Sequence, residues 1–222
     1  MSKLPPEVRS QVAELTLTPD RPLLITDADE VLFAFVRGFE GYLNTQGLIL
    51  RLDSFALSGN VRRQDTDEAL PAPQVRDLIE AFFDTCTELL EPVAGAAVAL
   101  AELSQRAQIL VLSNVPLPQR AARQRALQRH AMDYPLIANI GRKGSAVAML
   151  ADSIDAPVFF IDDIPHNITS VAESAAHVTR LHFVADPRLA RLLGPAEDAH
   201  ARIDDWPTAR AFIEDRLSEQ GF

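Results

Sequence analysis

Three short apolar runs, each stopping abruptly on polar or acidic residues, constrain this chain more than any other feature. They are Pro22-Leu23-Leu24-Ile25-Thr26, followed by Asp27-Ala28-Asp29-Glu30; Gln108-Ile109-Leu110-Val111-Leu112, followed by Ser113-Asn114; and Pro157-Val158-Phe159-Phe160-Ile161, followed by Asp162-Asp163. A run that is apolar at consecutive positions reads as a strand buried on both faces, which implies a parallel sheet with helices on either side.

The segments between these runs carry helical patterns. Residues 93–106 are rich in Ala and Leu, and residues 117–130 place many Arg and Gln on an amphipathic repeat. Further strands are expected over 178–184 and 134–140, and a last helix over 207–217, with Pro207 well placed in its first turn. Alternation of buried strands with helices predicts a doubly wound, Rossmann-like α/β domain. Residues 33–90 break that rhythm, with apolar residues at helical spacing and no buried run. They read as a small inserted helical unit, with 58–65 and the break Pro71-Ala72-Pro73 as its loops. The expected division is a core of 1–32 and 91–222 with an insert of 33–90.

Composition narrows the partners. With Asp+Glu 31 against Lys+Arg 21, the 222-residue chain carries a net charge of −10, and its bases are scattered. That excludes the basic stripe that nucleic acid needs and disfavours anionic membrane surfaces. No run approaches the ~20 apolar residues of a spanning helix. Residues 1–15 read as neither a secretory signal nor a transit peptide. The single Cys86, in an apolar stretch, reads as an inert thiol, and a cytoplasmic setting is expected.

Asp27 and Asp29 stand two apart at the end of a buried strand, so their carboxylates project to one side if strand geometry persists, at the edge where α/β sheets place ligands. Alone, Asp-x-Asp would read as a solvated turn. Ser113 and Asp162-Asp163 at the ends of the other two strands change that reading. Carboxylates converging on one sheet edge raise each other's pKa values unless a cation is present, and a hard divalent ion, Mg²⁺ by preference, resolves the conflict. Lys143, in Gly141-Arg142-Lys143-Gly144, supplies a further positive charge.

The order of these motifs resembles the haloacid dehalogenase superfamily: Asp27-Ala28-Asp29-Glu30-Val31, then Leu112-Ser113-Asn114, then Lys143, then Ile161-Asp162-Asp163-Ile164-Pro165-His166-Asn167. The resemblance runs from about Leu23 to Val184. It implies a core of that type with a small helical cap of type 1 inserted between the first two motifs. It also implies a Mg²⁺-dependent phosphatase that hydrolyses a small phosphomonoester through an aspartyl-phosphate. In that scheme Asp27 is the nucleophile and Asp29 the general acid and base. Ser113 and Lys143 contact the phosphoryl group. The ion is held by Asp27, Asp29 through its backbone carbonyl, and Asp163, with Asp162 near by. Asn114 and Asn167 support the network. Arg37, Arg62 and Arg63 are candidates for contact with an anionic small phosphorylated metabolite.

Other readings are weighed against that one. Carbon–halogen hydrolysis does not need Asp29, and a phosphonate hydrolase would use a cap lysine, whereas residues 33–90 contain none. A phosphoacceptor receiver module is smaller and places its Lys after the other motifs. A phosphomutase uses the same intermediate and stays open; a catalytically silent binding protein on this fold is the last alternative, and intact Asp27, Asp29, Ser113, Lys143 and Asp163 argue against it, since such a protein has no physical need to keep repelling carboxylates together. His166 reads as a rim residue, and the aromatic residues Phe35, Phe39, Tyr42, Phe82 and Phe83 read as packing.

Overall fold

Six parallel strands form the central sheet of the computed structural model, which describes residues 4–222. The first three residues of the N-terminal segment, and of the expected core range, lie outside the described residues. In chain order the elements are α1 (Pro6–Ala13), β1 (Leu23–Thr26), α2 (Phe35–Thr45), β2 (Leu48–Leu50), β3 (Val61–Arg63), α3 (Ala72–Cys86), α4 (Ala96–Leu103), β4 (Gln108–Ser113), α5 (Arg120–Arg129), β5 (Leu136–Ala138), α6 (Gly144–Ala151), β6 (Val158–Asp162), α7 (Pro165–Ser174), β7 (Thr179–Phe183), α8 (Pro187–Ala190), β8 (Ala201–Ile203) and α9 (Trp206–Glu219). The strand order is β5-β4-β1-β6-β7-β8. The chain leaves β1 for β4 on one side and returns to β6 on the other, so β1 sits at the point where the winding reverses.

The apolar runs are continuous because both faces of the sheet are covered. Leu24, Ile109, Val111, Phe159 and Ile161 pack with Leu100 of α4, Leu127 of α5 and Ile213 of α9. Their sequence neighbours Leu23, Ile25, Leu110, Leu112 and Phe160 pack on the opposite face with Val8 of α1, Val147 of α6 and Val171 of α7. Successive strand residues point to opposite faces, so no position in these runs can be polar without entering one of the two cores. The doubly wound α/β architecture is therefore as the sequence implies.

Strand register levels the ends of the three central strands. Thr26 pairs with Val111 of β4 and with Ile161 of β6. The next residues, Asp27, Leu112 and Asp162, therefore emerge together at one sheet edge.

The segment between β1 and β4 holds more than helices. Its entry and exit are stitched together, with the Ala34 N–H donating to the Glu91 carbonyl (2.9 Å) and the Val93 N–H to the Leu32 carbonyl (2.8 Å). Between them, α2 and α3 pack through an aromatic cluster in which Phe82 meets Phe35, Phe39 and Tyr42 with ring centroids 5.3–5.7 Å apart. The polar stretch 58–65, expected as loop, contains β3, which pairs antiparallel with β2. The expected break at 71–73 opens α3 instead, with Pro71 at its N-cap and a proline in its first turn, where the missing N–H costs nothing. Strands of three residues carry too little periodicity to announce themselves.

The described residues contain no helix long and apolar enough to cross a membrane.

Candidate active site

The site is built where β1, β4 and β6 end. Asp27 follows β1 and is fixed by its N–H donating to the Ile161 carbonyl at 2.9 Å. The loop beyond it is pinned from beneath by Trp206, whose buried indole N–H donates to the Val31 carbonyl at 2.8 Å. Lys143 occupies the N-cap of α6. It is brought into the site because α6 and α7 cross closely at Gly144, where a Cβ would stand 2.1 Å from the Ser170 carbonyl. The Gly144 N–H donates to Ser170 Oγ at 3.0 Å.

Lys143 is 1% exposed and bridges two carboxylates, with Nζ 2.6 Å from Asp27 Oδ1 and 2.7 Å from Asp162 Oδ2. Asp162 is fully engaged. Its Oδ1 accepts from the Ile164 N–H (2.8 Å) and from Asn167 Nδ2 (3.0 Å), while Oδ2 takes the Lys143 ammonium. This carboxylate, expected beside the ion as a ligand or a support, also aims Lys143 and Asn167. Asp163 turns the other way, towards the cavity, and its backbone carbonyl is held by buried His182. His182 Nδ1 accepts from the Ala196 N–H, so Nε2 carries the proton and donates to Asp163 at 2.9 Å.

Electrostatics single out the same cluster. Burial pushes Asp27 up to about 7; Lys143 opposes this, and Asp162 and Asp29 reinforce it. Asp163 is raised well above the usual carboxylate range, first by burial and then by the charges of Asp162, Asp27 and Glu30, with Lys143 too weak to compensate. Burial lowers Lys143, but Asp162 and Asp27 outweigh it and hold the ammonium above its ordinary value. One carboxylate oxygen each from Asp27, Asp162 and Asp163 lies within 4.8 Å of the others. Asn167 lines the same cavity with its Oδ1 buried and, among the described residues, unpartnered. Surplus negative charge and an orphaned oxygen acceptor in one place are what a hard cation with oxygen ligands would satisfy, so these residues fit Mg²⁺.

Asp29 behaves differently from expectation. Strand geometry stops at Thr26, and although both carboxylates border the cavity, that of Asp29 turns onto Arg123 of α5, 2.5 Å from Nη2 to Oδ1. Arg123 is wholly buried beneath the Phe33 ring, 4.9 Å from its centroid. Ser113 stands behind the cavity lining. It is 0% exposed and does not line the cavity, and its Oγ accepts from the Val115 N–H at 3.1 Å, fixing the turn that presents Asn114. Asn114 borders the cavity and is held by Asn139, whose Nδ2 donates to Asn114 Oδ1 at 2.8 Å. None of Arg37, Arg62 and Arg63 lines the cavity. Arg37 is exposed in a neighbouring groove with Asp186, Arg62 donates to the Asp67 carbonyl, and Arg63 is exposed on β3. Exposed His166 does not border it either.

Arg123, Asn139, His182 and Glu30 were not recognised as site residues from sequence. Arg123 shares its helix face with buried Ala126 and Leu127, three and four residues on, and an arginine on an apolar stripe is a readable signal. Glu30 gave none. It adopts φ of 61°, is 3% exposed and accepts from the Val36 N–H at the start of α2 (2.9 Å). Burial raises it to about 7 against that hydrogen bond, with Asp186 and Asp29 adding to the rise.

The fold that places these strand ends together recurs in known structures. A haloacid dehalogenase-like hydrolase from Streptococcus pneumoniae superposes with a TM-score of 0.58 at 11% identity, over 89% of this chain and 100% of that one. This chain has the haloacid dehalogenase-like fold. A second protein of that fold, a haloacid dehalogenase family hydrolase from Deinococcus radiodurans solved with bound phosphate and sodium, gives 0.58 at 19% identity over 89% and 96%. CbbY from Rhodobacter sphaeroides, in complex with xylulose 1,5-bisphosphate, gives 0.53 at 15% over 83% and 94%. No protein-family model matches the sequence, and no curated protein does.

Proposed function

We propose that this protein is a phosphoryl-transfer hydrolase of the haloacid dehalogenase-like type, a phosphatase that uses Asp27 as nucleophile. The observation that carries the reading is Lys143, buried between Asp27 and Asp162 at the floor of a cavity of about 260 Å³. A phosphoryl group entering there meets a carboxylate oxygen and a fixed cation together, and phosphoryl transfer depends on positioning and charge compensation.

Asp27 would attack phosphorus, forming an aspartyl-phosphate as the P–O bond to the alcohol breaks. Asp29 would give its proton to the departing alkoxide. Arg123 is paired with Oδ1 of Asp29, so the transferred proton would have to be taken up on Oδ2 as substrate enters. Asp29, now ionised, would take a proton from water as the water oxygen attacks phosphorus; the P–O bond to Asp27 breaks, phosphate leaves, and both side chains regain their starting states. Lys143 would neutralise charge on Asp27 and on the phosphoryl oxygens throughout, and Asn114, whose Nδ2 also donates to the Gly141 carbonyl at 3.0 Å, would border the phosphoryl group at the cavity wall. Mg²⁺ would be held by Asp27, Asp163 and the Asp29 backbone carbonyl, and when bound it offsets the negative charge of phosphate and carboxylates. The core of 1–32 and 91–222 would carry the chemistry, and residues 33–90 would act as a cap over it.

The reading is tested with para-nitrophenyl phosphate. Hydrolysis should require Mg²⁺, stop with chelator, and be lost in Asp27→Asn with the circular dichroism spectrum unchanged. Full turnover in Asp27→Asn would overturn it.

A further inference from the structure

The walls of the cavity differ from its floor in a way that addresses the substrate. The floor is polar and charged, from Asp27, Asp29, Glu30, Lys143 and Asp163, with the amides of Asn114 and Asn167 beside them. Every residue that the segment between β1 and β4 contributes beyond the acidic loop is apolar: Phe35 and Val36 of α2, Phe55 and Leu57 of the β2–β3 connection, and Phe83 of α3. The rings of Phe35 and Phe83 lie 5.7 Å apart and line the same side. Cationic side chains of that segment are directed elsewhere: Arg51 and Arg62 engage Asp67, and Arg37 faces a separate groove. Among the described residues the single cation lining the cavity, Lys143, is already shared by Asp27 and Asp162.

Resting on the phosphatase reading, the geometry points to phosphomonoesters of small apolar alcohols, aryl or short branched alkyl, as the substrate class. The phosphoryl group would sit on the carboxylate and lysine floor, and the carbon skeleton of the leaving alcohol against the phenylalanine and leucine wall. Sugar hydroxyls on that wall would give up water without gaining a hydrogen bond. A carboxylate or second phosphate would enter beside carboxylates with no cation to receive it. The volume, about 260 Å³, is below the ~300 Å³ at which clefts for drug-sized ligands begin, which keeps the alcohol small.

The test is the ratio of kcat/KM values, with Mg²⁺ present, for benzyl phosphate against glucose 6-phosphate and phosphoglycolate. Acetyl phosphate serves as a phosphoryl donor that makes no demand on the wall. The expected ratio is at least ~10² in favour of benzyl phosphate, the order by which an apolar pocket discriminates a hydroxylated analogue. Leu57→Arg should lower the benzyl phosphate to phosphoglycolate ratio by ~10-fold or more, and Phe55→Lys, also half-exposed, should do the same if the first variant folds poorly. Ratios near one in the wild type, with acetyl phosphate hydrolysed, overturn the substrate class and leave the phosphatase reading standing. Failure to hydrolyse any of the four compounds overturns both.

Discussion

Arg123 and Asp29, 94 residues apart in the chain, meet as an ion pair of 2.5 Å whose guanidinium is completely buried. Among the described residues its Nε and Nη1 atoms have no hydrogen-bond partner, so Asp29 and the face of Phe33 carry most of the compensation for its charge. Removing the acid strands a buried cation. Asp29→Ala should therefore lose about 3–5 kcal/mol of stability, and Arg123→Met in the same chain should return most of it. Urea unfolding of the two single variants and the double variant measures this, and additive losses would contradict the pairing.

Lys143 should be still less dispensable. Lys143→Met leaves Asp27, Asp162 and Asp163 together without their shared cation. The variant should melt well below the wild type at pH 8 and recover towards pH 5, where the carboxyls can take up protons. Equal losses at both pH values would mean that packing, rather than charge, is the role of this side chain.

The raised carboxyls also give the metal-free wild type a defined pH dependence. Asp27 and Glu30 move from ordinary values of 3.8 and 4.5 to about 7 on folding, so the folded state binds the extra protons. Their contribution to stability is complete below about pH 4 and is lost as pH rises through 7. Mg²⁺ binds the ionised form, so its stabilising effect should grow over the same interval. Thermal melts with and without Mg²⁺ at pH 5 and pH 8 should show the larger shift at pH 8; a larger shift at pH 5 would contradict the acidic cluster as the metal site.

Gly144 sets the position of Lys143 through close packing. A methyl group at this residue meets the Ser170 carbonyl at 2.1 Å, and the backbone of α7 cannot yield cheaply because Ser170 is buried and bonded to Gly144. Gly144→Ala should cost about 1–3 kcal/mol and reduce turnover by displacing the Nζ atom. A variant that keeps full stability and full turnover would show that α6 and α7 can separate.

The sheet was legible in the sequence because its physics is local: β1, β4 and β6 are each buried on both faces, so their runs are apolar without interruption. The site was legible as far as it sits on their ends, which is why Asp27, Lys143, Asp162, Asp163, Asn114 and Asn167 could all be named. What escaped depends on side-chain direction and on partners distant in sequence. Nothing local tells that Ser113 turns inward or that Asp29 finds Arg123. Nothing local tells that Glu30 accepts a left-handed backbone at φ 61° and spends its carboxylate on the start of α2. Helix α6 lacks a polar stripe to reveal its period, since nearly all of it is buried, and the three-residue strands β2 and β3 are shorter than any pattern.

The central claim is that Asp27 becomes phosphorylated. Protein mixed with acetyl phosphate and Mg²⁺ and quenched in acid can be digested and analysed by mass spectrometry. The account predicts a phosphoryl group on the peptide containing Asp27, present in wild type and Asp29→Asn and missing from Asp27→Asn. Steady hydrolysis with an unmodified Asp27 peptide, and equal turnover by Asp27→Asn, would contradict it.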